Sequence, residues 1–181
     1  MYGVVQGRLS KSPDNQLQWF PQDCWQDEFC KCETLGLNFV ELLDERSYNS
    51  NNPIWSSSGR DEIKKVVSET NRIIYSSCTD NIIDNSLSLE TTLDHVFNYL
   101  EVSKYLGCEI AIFPLMEESS ITPNNFDSYV STIRELCNST SFTICLESLL
   151  DHKILGRFID EVNVDNLKCV FDTGNRSASK N

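Results

Sequence analysis

Two carboxylic acids stand at the ends of two apolar segments in the last third of the chain. Glu147 follows the segment FTICL, and Asp172 follows LKCVF. An acid beside a buried strand is costly to hold unless it is bound to something. If both strands run parallel in one sheet, both acids lie at the same edge, where α/β proteins place metal and catalytic sites. The pair therefore indicates such a site.

Each acid also has a purely structural interpretation. Glu147 could cap the helix that follows it, or pair with a neighbouring Lys or Arg. Asp172 precedes the turn-forming residues Thr-Gly-Asn, so it could instead close an Asx turn. Both interpretations remain open at the level of the sequence.

The elements that must position these acids alternate regularly along the chain. The pattern predicts strands over residues 2–9, 38–43, 72–78, 108–115, 142–148 and 167–172. It predicts five helices, over 21–36, 60–71, 88–107, 122–138 and 151–162. Asp23 is the expected cap of the first helix, and Thr122 and Pro123 are expected to begin the fourth.

Regular alternation of strands and helices indicates parallel strands joined by right-handed crossovers. Two architectures fit the pattern: a doubly wound open sheet, and a (β/α) TIM barrel that lacks its last two units. No linker rich in Pro, Gly or Ser divides the chain, so residues 1–181 are expected to form one domain. No helix is expected after the sixth strand, because few residues follow it.

The composition excludes several classes of function. A formal net charge of −12 disfavours binding to nucleic acid or to an anionic membrane. No apolar run approaches the ~20 residues needed to span a bilayer. The chain has eight cysteines and no secretory signal, which favours a cytoplasmic protein with free thiols. The Cys30-Lys31-Cys32 pattern is a weak indication of structural zinc.

Two further polar residues are expected at the same edge of the sheet as the acid pair. Gln6 and Arg8 end the first strand, and Arg8 could contact a substrate phosphate or carboxylate, or equally pair with an acid. Glu41, in the second strand, could line the mouth of a barrel or pair with Arg8, and the pair is the expected arrangement.

Three aromatic or imidazole side chains have a plain structural interpretation. Trp55 lies in the polar loop 47–59, and it is expected to pack against the scaffold more readily than to form a lid. His95 and His152 are expected to be ordinary surface or interface residues, because one lies within a predicted helix and the other at a helix start.

The sequence resembles a known family through an ordered set of segments. They are VVQGRLS, FPQDCWQDEFCKCETLGLNFVELL, CLES and FDTGN. Together they are similar to the sugar phosphate isomerase/epimerase group of the xylose isomerase-like barrel superfamily. The resemblance covers essentially the whole chain and about the first six of the family's eight β/α units. It implies an incomplete TIM barrel.

The resemblance also implies roles for particular residues. In that superfamily a divalent metal is bound by a Glu ending strand five, an Asp ending strand six, a His on strand seven and a Glu on strand eight. Glu147 and Asp172 match the first two, and the other two would lie beyond residue 181. Mn²⁺, Mg²⁺ or Zn²⁺ is the implied cofactor, and Glu147 the implied catalytic carboxylate. Gln6, Arg8 and Asn175 are the candidate substrate-binding residues.

Asn175 marks a departure from related epimerases, which have a His at this position of an Asp-x-x-His motif. An Asn can hydrogen-bond a hydroxyl group but cannot shuttle a proton near neutral pH. The departure suits the sugar phosphate isomerase-like branch and weakens a specific assignment of ketose epimerisation.

The implied function is therefore a metal-dependent isomerase or epimerase of a small sugar or sugar phosphate. The alternative is a non-catalytic truncated remnant, or a subunit whose site is completed by a partner. An endonuclease of the abasic-site type is disfavoured by the charge and by the presence of only two His. Open edges at strands one and six would favour instability or homo-oligomers, and the chain alone is expected to lack isomerase activity.

Overall fold

A single sheet of six parallel strands organises the chain. The computed structural model describes residues 1–13, 16 and 18–178. The strands are β1 (Gly3–Val5), β2 (Phe39–Asp44), β3 (Ser76–Thr79), β4 (Ile110–Pro114), β5 (Thr143–Glu147) and β6 (Leu167–Val170). Each strand pairs in parallel with the next one along the chain.

The strand order decides between the two architectures that the sequence left open. A doubly wound sheet has a point at which the strand order reverses, whereas this sheet runs from β1 to β6 without a reversal. Strictly sequential parallel strands with intervening helices are the arrangement of a TIM barrel. The chain is therefore a partial TIM barrel of six strands, as the sequence predicted.

Seven helices are present among the described residues; six lie between consecutive strands along the chain, and α7 follows β6. They are α1 (Trp25–Thr34), α2 (Ser57–Thr70), α3 (Asn81–Asp84), α4 (Glu90–Leu106), α5 (Phe126–Asn138), α6 (His152–Val162) and α7 (Thr173–Ala178). The five longer helices are those that the sequence predicted. Single 3₁₀ turns lie at Pro53–Trp55 and Glu117–Ser119. No described helix is long and apolar enough to cross a membrane.

The expectation that no helix follows the sixth strand was wrong. Residues Thr173–Ala178 form α7. Asp172 Oδ1 accepts a hydrogen bond of 2.8 Å from the backbone N–H of Asn175, which satisfies a donor that the first turn of a helix leaves free. The Asp-Thr-Gly-Asn segment, which resembles a turn in sequence, therefore begins a short helix.

Two helix starts also differ from the sequence prediction. Helix α1 begins at Trp25 after Cys24, not after Asp23, and no side chain caps it. Helix α5 begins at Phe126, three residues after Pro123. There Asn125 Oδ1 accepts the backbone N–H of Thr122, at 2.7 Å. This local bond holds residues 122–125 in a turn, so the helix starts later.

The apolar core lies between the sheet and the helices. Val40, Leu42, Phe113 and Leu146 are all at most 2% exposed, and they belong to two clusters that pack the strands against the helices. Because side chains alternate between the two faces of a strand, the other face carries a different set. Glu41 lies on that face, together with the buried apolar residue Leu43.

The eight cysteines are all free thiols, as expected. Cys30 is exposed on α1, whereas Cys32 is fully buried in the core. The two thiols therefore have different environments, and the described residues form no cluster of three ligands around them.

Candidate active site at the ends of β5 and β6

Glu147 is the last residue of β5, at the carboxyl edge of the sheet. Its backbone is held in register, because its carbonyl accepts the N–H of Leu115 at 2.8 Å. The side chain is half-buried, and its Oε1 accepts a hydrogen bond of 2.6 Å from Asn175 Nδ2. Among the Lys and Arg side chains that the structure describes, none pairs with Glu147.

Asp172 and Asn175 complete the group. Asp172 follows β6, and its Oδ1 caps α7 through the backbone of Asn175. Gly174 leaves room for this cap, since a Cβ atom there would lie 3.1 Å from Asp172 Oδ1. Asn175 thus contacts Asp172 with its backbone and Glu147 with its side chain. The structure brings these three predicted residues together, and Asp172 caps α7 rather than closing the Asx turn that the sequence left as an alternative.

Burial and neighbouring acids raise the pKa of Glu147. Burial is the largest cause, and the carboxylates of Asp172 and Asp80 add to it. The hydrogen bond from Asn175 opposes the rise, because it stabilises the charged form. A carboxyl with a raised pKa is suited to general acid–base chemistry, since its proton is exchanged closer to neutral pH.

A cleft of about 300 Å³ opens beside this group. Glu147, Asp172 and Asn175 form its polar wall. The opposite wall is largely apolar and consists of residues from α6, β6 and the adjoining loops: Leu149, Leu155, Ile159, Val170 and Phe171. His152 also lines the cleft and is exposed at the start of α6, as expected of a surface residue. A small molecule with one polar and one apolar side would fit the cleft.

The donor set suits a hard divalent cation in kind, because carboxylate oxygens are its preferred ligands. Glu147 and Asp172 supply such oxygens. In residues 1–13, 16 and 18–178 there is no group of three or more His, Cys, Asp or Glu side chains that could hold a metal ion. These two residues therefore fit part of a coordination shell.

Gln6 and Arg8 lie elsewhere on the sheet. Strand β1 is separated from β5 by three strands. Gln6 is 2% exposed, and its Oε1 accepts the N–H of Leu43 at 3.2 Å. Arg8 is exposed and donates to Gln18 Oε1 at 3.0 Å. Their roles in substrate binding remain predictions.

The expected pair between Glu41 and Arg8 was wrong. Glu41 accepts a hydrogen bond from the hydroxyl of Ser76, on the neighbouring strand. Arg8 does not reach Glu41, because Glu28 holds the backbone on both sides of Arg8. The two carboxylate oxygens of Glu28 accept the N–H groups of Gly7 and Leu9, at 2.7 and 3.0 Å. These bonds turn the chain toward α1 directly after β1 and carry Arg8 away from the interior.

His95 is not an ordinary surface residue, which corrects a second expectation. Its Nε2 lies 2.7 Å from Oδ2 of Asp44, at the end of β2. The two side chains are 15% and 0% exposed. Thr79 donates to the same carboxylate oxygen at 2.7 Å. A helical pattern shows that His95 lies on α4 but not which strand it faces. The feature of the sequence that could have indicated a buried polar contact here is Asp44, an acid that ends an apolar strand.

Trp55 packs against the scaffold, as the sequence predicted. Its ring centroid lies 4.9 Å from that of His95 and 5.6 Å from that of Tyr48. The loop between β2 and α2 is therefore held against α4.

Comparison with known proteins identified similar solved structures, but no similar sequences. No family model matches the sequence, and no curated protein matches it either. A xylose isomerase-like TIM barrel protein from Mycobacterium smegmatis, in complex with magnesium, has a TM-score of 0.70 at 17% identity. The match covers 96% of this chain and 65% of that protein.

Two other solved structures share the fold. A D-psicose 3-epimerase, crystallised in the presence of D-fructose, has a TM-score of 0.74 at 13% identity and is matched over 99% of this chain and 66% of its own. An AP endonuclease of family 2 from Brucella melitensis has a TM-score of 0.64 at 14% identity, over 95% and 68%. The chain thus spans about two thirds of the length of these proteins, and it has the xylose isomerase-like TIM-barrel fold over that length.

Proposed function

We propose that this chain carries the β5–β6 part of the active site of a metal-dependent isomerase or epimerase, whose substrate is a small sugar or sugar phosphate. The observation that supports this most directly is the contact of Glu147, Asp172 and Asn175 at one edge of the sheet. An epimerase and a magnesium-bound protein with the same fold add support.

In this proposal Glu147 and Asp172 hold the cation through their side-chain oxygens. When bound, a divalent cation polarises a substrate carbonyl and acidifies the adjacent C–H group. Glu147 would be the group that removes or returns the proton on that carbon. Asn175 would orient Glu147 through its amide, and that amide would also be able to donate to a substrate hydroxyl.

Isothermal titration calorimetry with Mn²⁺ tests the metal-binding part of the proposal. Glu147→Gln and Asp172→Asn should each weaken binding at least about tenfold, because each removes a charged ligand. Asp160→Asn, an exposed acid on α6, is the matched control and should bind as the wild type does. Equal affinity in all four proteins would refute the assignment.

A partner-completed site is the second candidate, and one observation favours it. The described residues supply two carboxylates to the site and no third ligand. Strands β1 and β6 are the two edges of the sheet, so another polypeptide or a second copy could pair with them. Light scattering after gel filtration, with and without Mn²⁺, distinguishes the candidates. A monomer that converts D-fructose to its epimer with Mn²⁺ would exclude the second one.

A further inference from the structure

A cleft on the helix side of the partial barrel has no part in the proposed function. It has a volume of about 580 Å³ and lies beside the first turns of α5 and α6. Its walls come from within residues 121–127 and 150–157. Clefts of roughly 300–1,000 Å³ are the size that small-molecule ligands occupy. We call this feature the outer cleft.

Helix α6 separates the outer cleft from the cleft beside Glu147. Successive residues of an α-helix are turned by about 100°, so Leu155 and Ile159 lie on one face of α6 and Lys153 and Arg157 on the opposite face. The first two line the cleft beside Glu147, and the other two line the outer cleft. The two clefts are therefore separate places for a ligand.

The surface inside the outer cleft is mainly apolar. Ile121 is buried in the core, and Phe126 and Leu150 pack against the same core. Pro123 and Ile154 are exposed, and 47% of Ile154 is open to solvent. A ligand with an apolar chain would gain free energy by removing this surface from water.

Arg157 is held in position at the edge of this apolar surface. Its Nε donates to Oε1 of Glu161 at 2.7 Å, and its guanidinium carbon lies 4.9 Å from the centre of the Phe126 ring. Its two terminal nitrogens donate to no residue that the structure describes. They remain available to the two oxygens of one carboxylate, a geometry that suits a guanidinium.

Lys153 places a second cation on the same face of α6, one turn before Arg157. Like charges four residues apart on a helix repel each other. Arg157 has Glu161 as a partner, whereas no acid within the described ranges pairs with Lys153. An anion bound to both cations would offset their repulsion.

Asp127 is the acid that lines the outer cleft, and it belongs to α5. The walls thus carry two positive charges on the α6 side and one negative charge on the α5 side. This balance favours a ligand with a single negative charge, held on the α6 side.

We propose that the outer cleft binds a small monocarboxylate with an apolar chain. The carboxylate accepts hydrogen bonds from Arg157 and Lys153, and the chain covers Phe126, Leu150 and Ile154. The inference goes beyond the proposed function and does not depend on it, because the two sites lie in separate clefts.

Isothermal titration calorimetry with octanoate tests this inference. We expect the wild type to bind octanoate, and the double variant Lys153→Gln, Arg157→Gln to have a Kd about tenfold higher. Asp127→Asn should lower the Kd, because it removes the negative charge that repels the ligand. Lys65→Gln, at an exposed cation on α2, is the control and should bind as the wild type does. Circular dichroism confirms that each variant is folded.

The position of the bound octanoate is measured by NMR. The largest changes in backbone amide shifts should fall within residues 121–127 and 150–157. Changes concentrated at Glu147 and Asp172 would place octanoate in the other cleft and would overturn the inference. The absence of binding by the wild type, or the same Kd in the wild type and the folded double variant, would also overturn it.

Discussion

Asn175 Nδ2 donates a hydrogen bond of 2.6 Å to Oε1 of Glu147, which joins the end of β5 to the first turn of α7. The bond stabilises the charged carboxylate against the effects of burial and of Asp172. The polar edge of the cleft is thus one connected unit.

Removal of this bond should change the titration of Glu147. In Asn175→Ala the pKa of Glu147 should rise further, because the group that favours its charged form is gone. Carboxyl ¹³C NMR across a pH series measures this directly. Asn138→Ala, at the exposed end of α5, is the control. A Glu147 titration that is unchanged or lower in Asn175→Ala would contradict the assignment.

Metal affinity should depend on pH through the same carboxyl. Glu147 must lose its proton to bind a cation, so Mn²⁺ should bind more tightly at about pH 7.5 than at about pH 5.5. Calorimetry at the two pH values gives the ratio of affinities. Glu147→Gln should reduce that ratio, whereas a ratio that is the same in the variant would assign the pH dependence to another group.

Glu41 should make the protein less stable as the pH rises. Burial, Glu147 and Asp80 raise its pKa from the ordinary value of 4.5. Its contribution to stability is therefore present below pH 4.5 and is lost as the pH rises through the raised pKa. In urea denaturation, the free energy of unfolding of Glu41→Gln should increase relative to that of the wild type from acidic to alkaline pH, by on the order of 1 kcal/mol. A constant difference between the two proteins would exclude the raised pKa.

The strand-end acids show what could be predicted from the sequence. The alternation of elements indicated six parallel strands, and residues that end parallel strands share one edge, so Glu147 and Asp172 could be placed together. Asp80 obeys the same rule, but its strand was expected to end at Cys78 and it was overlooked. The Asp44–His95 contact could not be predicted, because a helical pattern does not specify the strand that a side chain faces.

His95 should contribute to stability through Asp44. His95→Leu removes the hydrogen bond and leaves a fully buried carboxylate beside an apolar group. We expect a loss of about 2 kcal/mol in the free energy of unfolding, because a buried acceptor loses one of its donors while Thr79 keeps its bond. His95→Gln keeps a donor on the side chain and should lose much less. Equal losses in the two variants would show that packing against Trp55, rather than the contact with Asp44, is what His95 contributes.

Gly7 should be required for a different reason from Gly36, although both have a positive φ, of 89° and 69°. A Cβ atom at Gly7 would lie 2.3 Å from the carbonyl oxygen of Trp19, whereas nothing lies within 4 Å of one at Gly36. Gly36→Ala should lower the free energy of unfolding by about 1 kcal/mol, through backbone strain alone. Gly7→Ala should lower it by about 3 kcal/mol, because Trp19 must also move. Urea denaturation measures both losses. Equal stability losses in the two variants would show that Trp19 can move without any loss of stability.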